Sequence, residues 1–256
     1  MNTSCRLLLL LGMITCIRCG DQFQSIPPGQ VTIGEIEYPS ADGGKKKSRF
    51  MYSVPNAYAP GKSFPFVIAL HGGGDNMAAF HDLWKSATDS LGFVLLTPQG
   101  DIPGPQNFGW TWGADGERAV LICRDIVRKA VHVEDQRTYV AGFSAGGRLS
   151  HSLGVKYPHL FTGFAALSVR FDTTLATRLP SPFGGARAFI GHGSLESSGS
   201  HETKTAVGRL RDTGFKVKYV QYEGIGHALP EPAREELKRI LNYLDSGNYP
   251  DYSLKP

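Results

Sequence analysis

Apolar residues along the chain fall into two kinds of pattern, and the alternation between them predicts the architecture. Residues 66–70, 93–96, 139–141 and 164–167 are short unbroken apolar runs, the signature of parallel strands covered on both faces. Residues 216–222 instead alternate polar and apolar positions, which suits a half-exposed strand near a sheet edge. Between these runs the spacing changes. Met77, Phe80, Trp84, Ala87 and Leu91 recur at three and four residues, giving one apolar helical face. Val120, Cys123, Val127 and Ala130 do the same, as do Leu237, Ile240, Leu241 and Leu244 in a late helix with Pro232 in its first turn. Two further strands are expected around 31–38 and 49–54. The resulting order, two strands followed by repeated strand–helix units, predicts an α/β fold with a mostly parallel twisted sheet and helices on both faces.

Composition narrows the class. The chain has 256 residues, 41% hydrophobic and 20% charged, an ordinary globular balance with enough length for one sizeable core. No internal repeat or long linker divides it, so residues 21–256 are expected to form a single domain. Residues 1–20 look like an export leader: Arg6 supplies the positive end, and Leu7 to Ile14 form an apolar stretch too short to span a bilayer. A simple secretory signal is the primary reading, for a secreted or periplasmic protein. A lipoprotein signal ending at Cys16 or Cys19 is the variant that would anchor it by lipid. Three of four cysteines (Cys5, Cys16, Cys19) lie in or beside the leader, leaving Cys123 as a buried structural thiol on a helix stripe. The net charge of +4 is modest. Its densest basic run, Lys45-Lys46-Lys47 with Arg49, is expected at a solvated hairpin tip and argues against a nucleic-acid partner.

The candidate chemistry sits where predicted strands end. Gly142-Phe143-Ser144-Ala145-Gly146 follows a predicted strand at 137–141 and precedes a predicted helix at 147–157. A serine at such a corner sits on a tight turn that exposes its hydroxyl, and the flanking glycines keep neighbouring backbone from clashing. Acyl transfer by serine also needs a base, a group that orients the base, and donors for the oxyanion. His71-Gly72-Gly73-Gly74 follows the strand ending at Leu70. A main-chain N–H from Gly72 or Gly73, with that of Ala145, would supply the donors. His227, in the loop after the last strand, is the expected base. His71 and His192 each end a strand and are expected on the floor of the site. Glu196, after the strand at 187–191, is the expected orienting acid, and Asp172 satisfies the same chain order. Two long loops, 98–116 and 169–185, follow parallel strands and lie on the sheet edge where ligands bind in such folds.

These segments resemble the α/β-hydrolase superfamily, and within it the polyhydroxybutyrate-depolymerase and feruloyl-esterase-like group of carbohydrate esterases. The resemblance rests on Leu70-His71-Gly72-Gly73-Gly74, Thr97-Pro98-Gln99-Gly100, Gly142-Phe143-Ser144-Ala145-Gly146-Gly147, Tyr157-Pro158, His192-Gly193-Ser194-Leu195-Glu196 and Gly226-His227-Ala228-Leu229-Pro230. It implies an esterase working through a Ser144–His227–Glu196 triad on feruloyl, acetyl or hydroxyalkanoate esters, free or linked to a polysaccharide. It also implies that Trp110 and Trp112 stand near the pocket as an aromatic wall, with packing of a long loop as the other reading. Members of the group usually carry Asp where Glu196 stands. They also usually lack a basic residue after the strand that here ends in Ser168-Val169-Arg170, so Arg170 is a candidate for altered substrate preference. A surface pair with Asp172 is its plainer reading.

The alternatives are a polyester depolymerase or peptidase on the same fold, or a non-catalytic binding protein. No cofactor or metal is expected. His201-Glu202 lacks the second histidine of a zinc helix, and the glycine-rich segments lack the endings that bind nucleotides. The pattern carries no information on oligomeric state.

Overall fold

The unbroken apolar runs form the middle of an eight-stranded sheet. The structure is a computed structural model that describes residues 26–104, 108–111, 113–171, 185–196 and 200–250. In chain order its strands are β1 (Val31–Pro39), β2 (Lys45–Ser53), β3 (Phe64–Leu70), β4 (Val94–Pro98), a two-residue pair β5 (Ile102–Pro103) and β6 (Phe108–Gly109), β7 (Val133–Phe143), β8 (Gly163–Leu167), β9 (Arg187–Gly193) and β10 (Lys216–Tyr222). The helices are α1 (Met77–Leu91), α2 (Ala114–Ala130), α3 (Ala145–Lys156), α4 (Ser200–Asp212) and α5 (Ala233–Ser246). The main sheet runs β1-β2-β4-β3-β7-β8-β9-β10. Pairing is antiparallel from β1 to β4 and parallel from β4 to β10. The alternating strand β10 is an edge, as its pattern predicts.

Side-chain alternation divides the core into two layers. Phe66, Ile68 and Leu70 point to the layer closed by α2, α3 and α4, where Val120, Cys123, Leu149, Leu153 and Leu210 are buried. Val67 and Ala69 point to the opposite layer, closed by Trp84 of α1 and Leu237, Ile240 and Leu241 of α5. Full burial of one such side chain contributes about 1.5–3 kcal/mol. The α1 stripe is capped by Asn76, whose side chain accepts from the N–H groups of Ala78 and Ala79, satisfying two donors that the helix itself leaves free. Cys123 is buried and forms no disulfide, in keeping with a packing role.

Two expectations need correction, and two further features were not foreseen. The Lys45–Lys47 run is the start of β2, and only its outer members are solvated. Lys46 folds inward to Asp101 (2.8 Å) and Asp115 (3.2 Å), both on or beside the 98–116 loop. The strand before Ser144 is longer than expected, from 133 to 143, and the helix starts at once at 145. Residues 245–250 are tied back onto the fold. Asp245 accepts from Arg137 and Tyr139, while Tyr249 packs on Phe189 under the Arg239 guanidinium. Helix α4, which has few large apolar residues, was not expected.

Candidate active site

Strand β7 and helix α3 meet at Ser144, and the geometry of that corner explains the residues around it. Ser144 has φ 53° and ψ −115°, a left-handed conformation that a non-glycine residue holds only under constraint. The constraint is visible: its N–H donates to the Leu167 carbonyl on β8 (2.8 Å), and its carbonyl accepts from Arg148 N–H in the first turn of α3 (3.0 Å). A Cβ on Gly142 would run into the backbone of Gly146, and one on Gly146 into the carbonyls of Leu70 and His71. Both glycines are therefore required by close backbone approach.

From this corner a chain of hydrogen bonds runs across the carboxyl ends of the strands. Ser144 Oγ donates to His227 Nε2 at 2.9 Å. His227 Nδ1 donates to Glu196 Oε2 at 3.1 Å. The imidazole lies in the loop between β10 and α5, half exposed, with its ring 5.1 Å from that of Phe143. Glu196 is buried at the end of β9, its side chain 6% exposed. The other oxygen, Oε1, accepts from Gly193 N–H at 3.0 Å. Burial raises the Glu196 carboxyl, but hydrogen bonds from His227, from the Ser168 hydroxyl and from Gly193 N–H, together with the neighbouring His192, outweigh it and hold the carboxyl below its ordinary range. It is thus an ionised acceptor at neutral pH. The alternative acid, Asp172, lies outside the described residues.

Sequence reasoning assigned no role to Ser168. It ends β8 as Ser144 ends β7, with the same φ of 53°, and its N–H donates to Gly191 on β9 (2.8 Å). Its departure from extended backbone turns its hydroxyl to Glu196. A serine closing a parallel strand next to the nucleophile strand was the signal available.

The glycine loop is held by a frame of buried polar contacts. His71 is fully buried. Its Nδ1 donates to the Gly72 carbonyl (2.7 Å), and its Nε2 accepts from Gly100 N–H (2.9 Å). Burial lowers its pKa, which favours this neutral tautomer and makes it a brace between two loops. Trp110 is 2% exposed, packs its ring tilted against that of His71 and donates from Nε1 to the His71 carbonyl (2.8 Å). This corrects the aromatic-wall expectation: Trp110 supports the glycine loop from beneath. Trp112 lies outside the described residues. Gly74 N–H donates to Phe108 and Phe108 N–H to Asp75, which clasps the 98–116 loop over the glycine loop. Gly72 lies against Phe143 and Ser144, and a Cβ on Gly73 would stand 3.6 Å from that of Ala145. Ala145 is the first residue of α3, so its N–H has no partner within the helix. The structure therefore brings Gly72, Gly73 and Ala145 to one side of the serine. His192 is buried behind Glu196, 3.8 Å from its carboxylate.

A hollow of about 230 Å³ opens over these groups, lined by Ser144, Ala145, Arg148, Ser168, Arg170, Glu196 and His227. Arg170 lines it, and so does Arg148, which was missed although it stands one helical turn after the serine. Arg170 is 3.9 Å from Glu202 on α4. Among the described residues no group of three or more His, Cys, Asp or Glu could hold a metal ion. No described helix is long and apolar enough to cross a membrane.

The chain resembles known proteins both in sequence and in fold. A poly(3-hydroxybutyrate) depolymerase of Ralstonia pickettii is 29% identical over 143 residues, 48% of this chain and 29% of the relative. Poly(3-hydroxyalkanoate) depolymerase C of Paucimonas lemoignei is 27% identical over 206 residues, 74% of this chain and 47% of the relative. The chain thus spans less than half the length of either. Among solved structures, a ferulic acid esterase superposes with a TM-score of 0.65 at 16% identity, covering 84% of this chain and 98% of its own. An esterase of Pyrobaculum calidifontis gives 0.63 at 16% identity, covering 88% of each chain. At that identity they establish the α/β-hydrolase fold. The profile of the family described as "Esterase PHB depolymerase" matches residues 48–179, just over half of the sequence, and the chain belongs to that family.

Proposed function

We propose that the protein is an exported serine esterase that hydrolyses carboxylic esters through an acyl-enzyme. The observation that carries this reading is the continuous relay from Ser144 through His227 to a buried, ionised Glu196, with the serine held at positive φ. In the reaction His227 Nε2 takes the Ser144 proton as Oγ attacks the ester carbonyl. Nδ1 stays protonated on Glu196, which fixes the tautomer and stabilises the imidazolium. The oxyanion is received by Ala145 N–H and by Gly73 or Gly72 N–H, each such donor contributing on the order of 3 kcal/mol to the barrier reduction. His227 then returns the proton to the leaving alkoxide. Water, deprotonated by the same nitrogen, cleaves the acyl-enzyme and releases the acid.

The names of the relatives support a choice of substrate class. Two of them are named for polyhydroxyalkanoate chemistry, so hydroxyalkanoate esters are the first choice, and short acetyl or feruloyl esters the second. The open hollow of about 230 Å³ suits a small acyl group or the end of a chain. Export rests on the apolar leader pattern of residues 1–20.

The test is hydrolysis of a panel of acetyl, butyryl, feruloyl and 3-hydroxybutyryl esters by wild type and Ser144→Ala. Turnover in wild type with a loss of roughly 10³-fold or more in the variant supports the reading. Variant turnover within tenfold of wild type overturns it.

A further inference from the structure

The loop between β4 and α2 meets the buried His71 with both of its ends. At the first end Gly100 N–H donates to His71 Nε2 (2.9 Å), and at the other Trp110 Nε1 donates to the His71 carbonyl (2.8 Å). Asp101 joins the two ends: its Oδ1 accepts from Thr111 N–H at 2.7 Å. The closure is tight, since a Cβ on Gly100 would stand 2.2 Å from the Gly109 carbonyl oxygen. Asp101 Oδ2 accepts from Lys46 of β2 at 2.8 Å, and the same ammonium donates to Thr111 Oγ1 at 3.0 Å. The Asp101 side chain is fully buried. Burial raises its carboxyl, but hydrogen bonds from Lys46 and from the hydroxyl and N–H of Thr111 outweigh it and hold the carboxyl below its ordinary range. Asp101 is thus a buried anion whose two oxygens meet two different donors. Asp115 of α2 shares the ammonium at 3.2 Å, but its other oxygen accepts from Ala41 N–H, so it ties the lysine to the β1–β2 turn and not to the loop ends.

This clasp reaches the site through a single peptide unit. His71 Nδ1 donates to the Gly72 carbonyl at 2.7 Å. The Gly72–Gly73 peptide is trans, so its N–H points opposite to that carbonyl, away from the buried ring. We infer that Asp101, held by Lys46, is a positioning residue for the oxyanion donors: it locks both ends of the loop onto His71, and His71 in turn aims the Gly73 N–H. The inference rests on the esterase reading and deepens it, by naming what sets one of its donors. The aim matters because such a donor stabilises the transition state only when it is already directed at the place where the oxyanion forms.

The experiment measures kcat and KM on 4-nitrophenyl butyrate for wild type, Asp101→Asn, Asp115→Asn, Trp110→Phe and the Asp101→Asn/Trp110→Phe double variant. Rates are expressed per active site, counted by fluorophosphonate labelling run to completion, so that loss of folded protein does not enter. Asp101→Asn keeps the shape but leaves one oxygen for two donors, so the clasp opens. Trp110→Phe keeps a ring and removes the bond to the His71 carbonyl. Each is expected to lower kcat by roughly tenfold, a part of what deleting an oxyanion donor outright costs. KM should stay within about twofold, because the donors serve both tetrahedral steps alike. The acid side of the pH–rate profile should not move, since it reports the His227–Glu196 relay. The double variant should lose no more than the larger single loss, as expected for links of one chain. Asp115→Asn, the same change on the same lysine, should lower the denaturant midpoint and leave kcat within about twofold. Should Asp101→Asn not fold, Lys46→Met replaces it under the same criteria, since it breaks the same pair from the other side. A kcat within twofold of wild type in Asp101→Asn, equal losses in Asp101→Asn and Asp115→Asn, or losses that multiply in the double variant would each overturn the inference and leave the esterase reading intact. A wild type that neither turns over the ester nor takes the label would mean that the parent reading had failed instead.

Discussion

Among the described residues a hollow lies at each end of the parallel strands, and the contrast between the two shows where chemistry is stored in this fold. At the amino ends, a cavity of about 520 Å³ is lined by Arg137, Tyr139, His159, Thr162, Arg187 and Asp245, among others. It is the larger of the two, and its charges are largely spent on the fold. Arg137 makes a bidentate pair with Asp245 and a second contact with Glu134. Arg187 donates to the carbonyls of Leu244 and Asp245, which ties β9 to the end of α5. At the carboxyl ends, the hollow is less than half that size but holds two serines at positive φ, a half-exposed imidazole and two arginines. Size does not mark the site. Backbone strain and an exposed relay do, at the sheet edge where α/β folds bind ligands.

Substitutions at the two ends sharpen this contrast. His227→Ala should lower kcat/KM on a neutral ester by roughly 10³–10⁴-fold or more, because the serine loses its base. Asp245→Ala, at the other end, should leave kcat/KM within about twofold. It should instead cost about 1–3 kcal/mol of stability by removing the acceptor that Arg137 and Tyr139 share, read as a lower denaturant midpoint. A large activity loss from Asp245→Ala, or none from His227→Ala, would break the comparison. Glu196→Gln comes next in size. It removes the charge that holds the tautomer, and a loss of roughly 10²–10⁴-fold is expected. Asp172→Asn should do less, and the reverse order would move the acid to the loop after β8.

The last prediction concerns pH and touches stability alone. His81 is 2% exposed between the Thr97 and Ser53 hydroxyls, and burial pushes its pKa down to about 4. An unfolded histidine titrates near 6.5, so between these values the unfolded chain binds a proton that the native state refuses. Stability from this group is complete above pH ~6.5 and is lost as pH falls toward 4, by up to about 3 kcal/mol. Replacing His81 by Gln should flatten that part of the stability–pH curve. A wild-type curve already flat between pH 6.5 and 4 would contradict the assignment. Glu196 adds no such limb near neutrality, since its carboxyl is held below the ordinary range.

How much of this was legible beforehand depends on how far apart the partners lie. The relay was, because each member follows a strand with a strong local pattern, and a parallel sheet brings strand ends to one edge. Lys46 was not. A run of three lysines looks solvated until Asp101, 55 residues away, is folded against it. Trp110 was half legible: an aromatic in a long loop is as able to pack as to bind, and only the buried His71 carbonyl decides between them. Ser168 and Arg148 carry no motif of their own. Their roles come from the φ of one turn and from one helical turn of separation. Helix α4 escaped because its buried face is made of Thr203, Ala206, Val207 and Leu210, a weak stripe on an otherwise polar segment.

The central claim is that strain and the relay make Ser144, and no other serine, the nucleophile. Ser168 is the internal control, since it shares the same φ but spends its hydroxyl on Glu196. Reaction of the folded protein with a fluorophosphonate, followed by peptide mass mapping, tests this directly. The account predicts one adduct, on Ser144, abolished in Ser144→Ala and strongly slowed in His227→Ala. An adduct on Ser168 or elsewhere, or labelling that persists in Ser144→Ala, would contradict it.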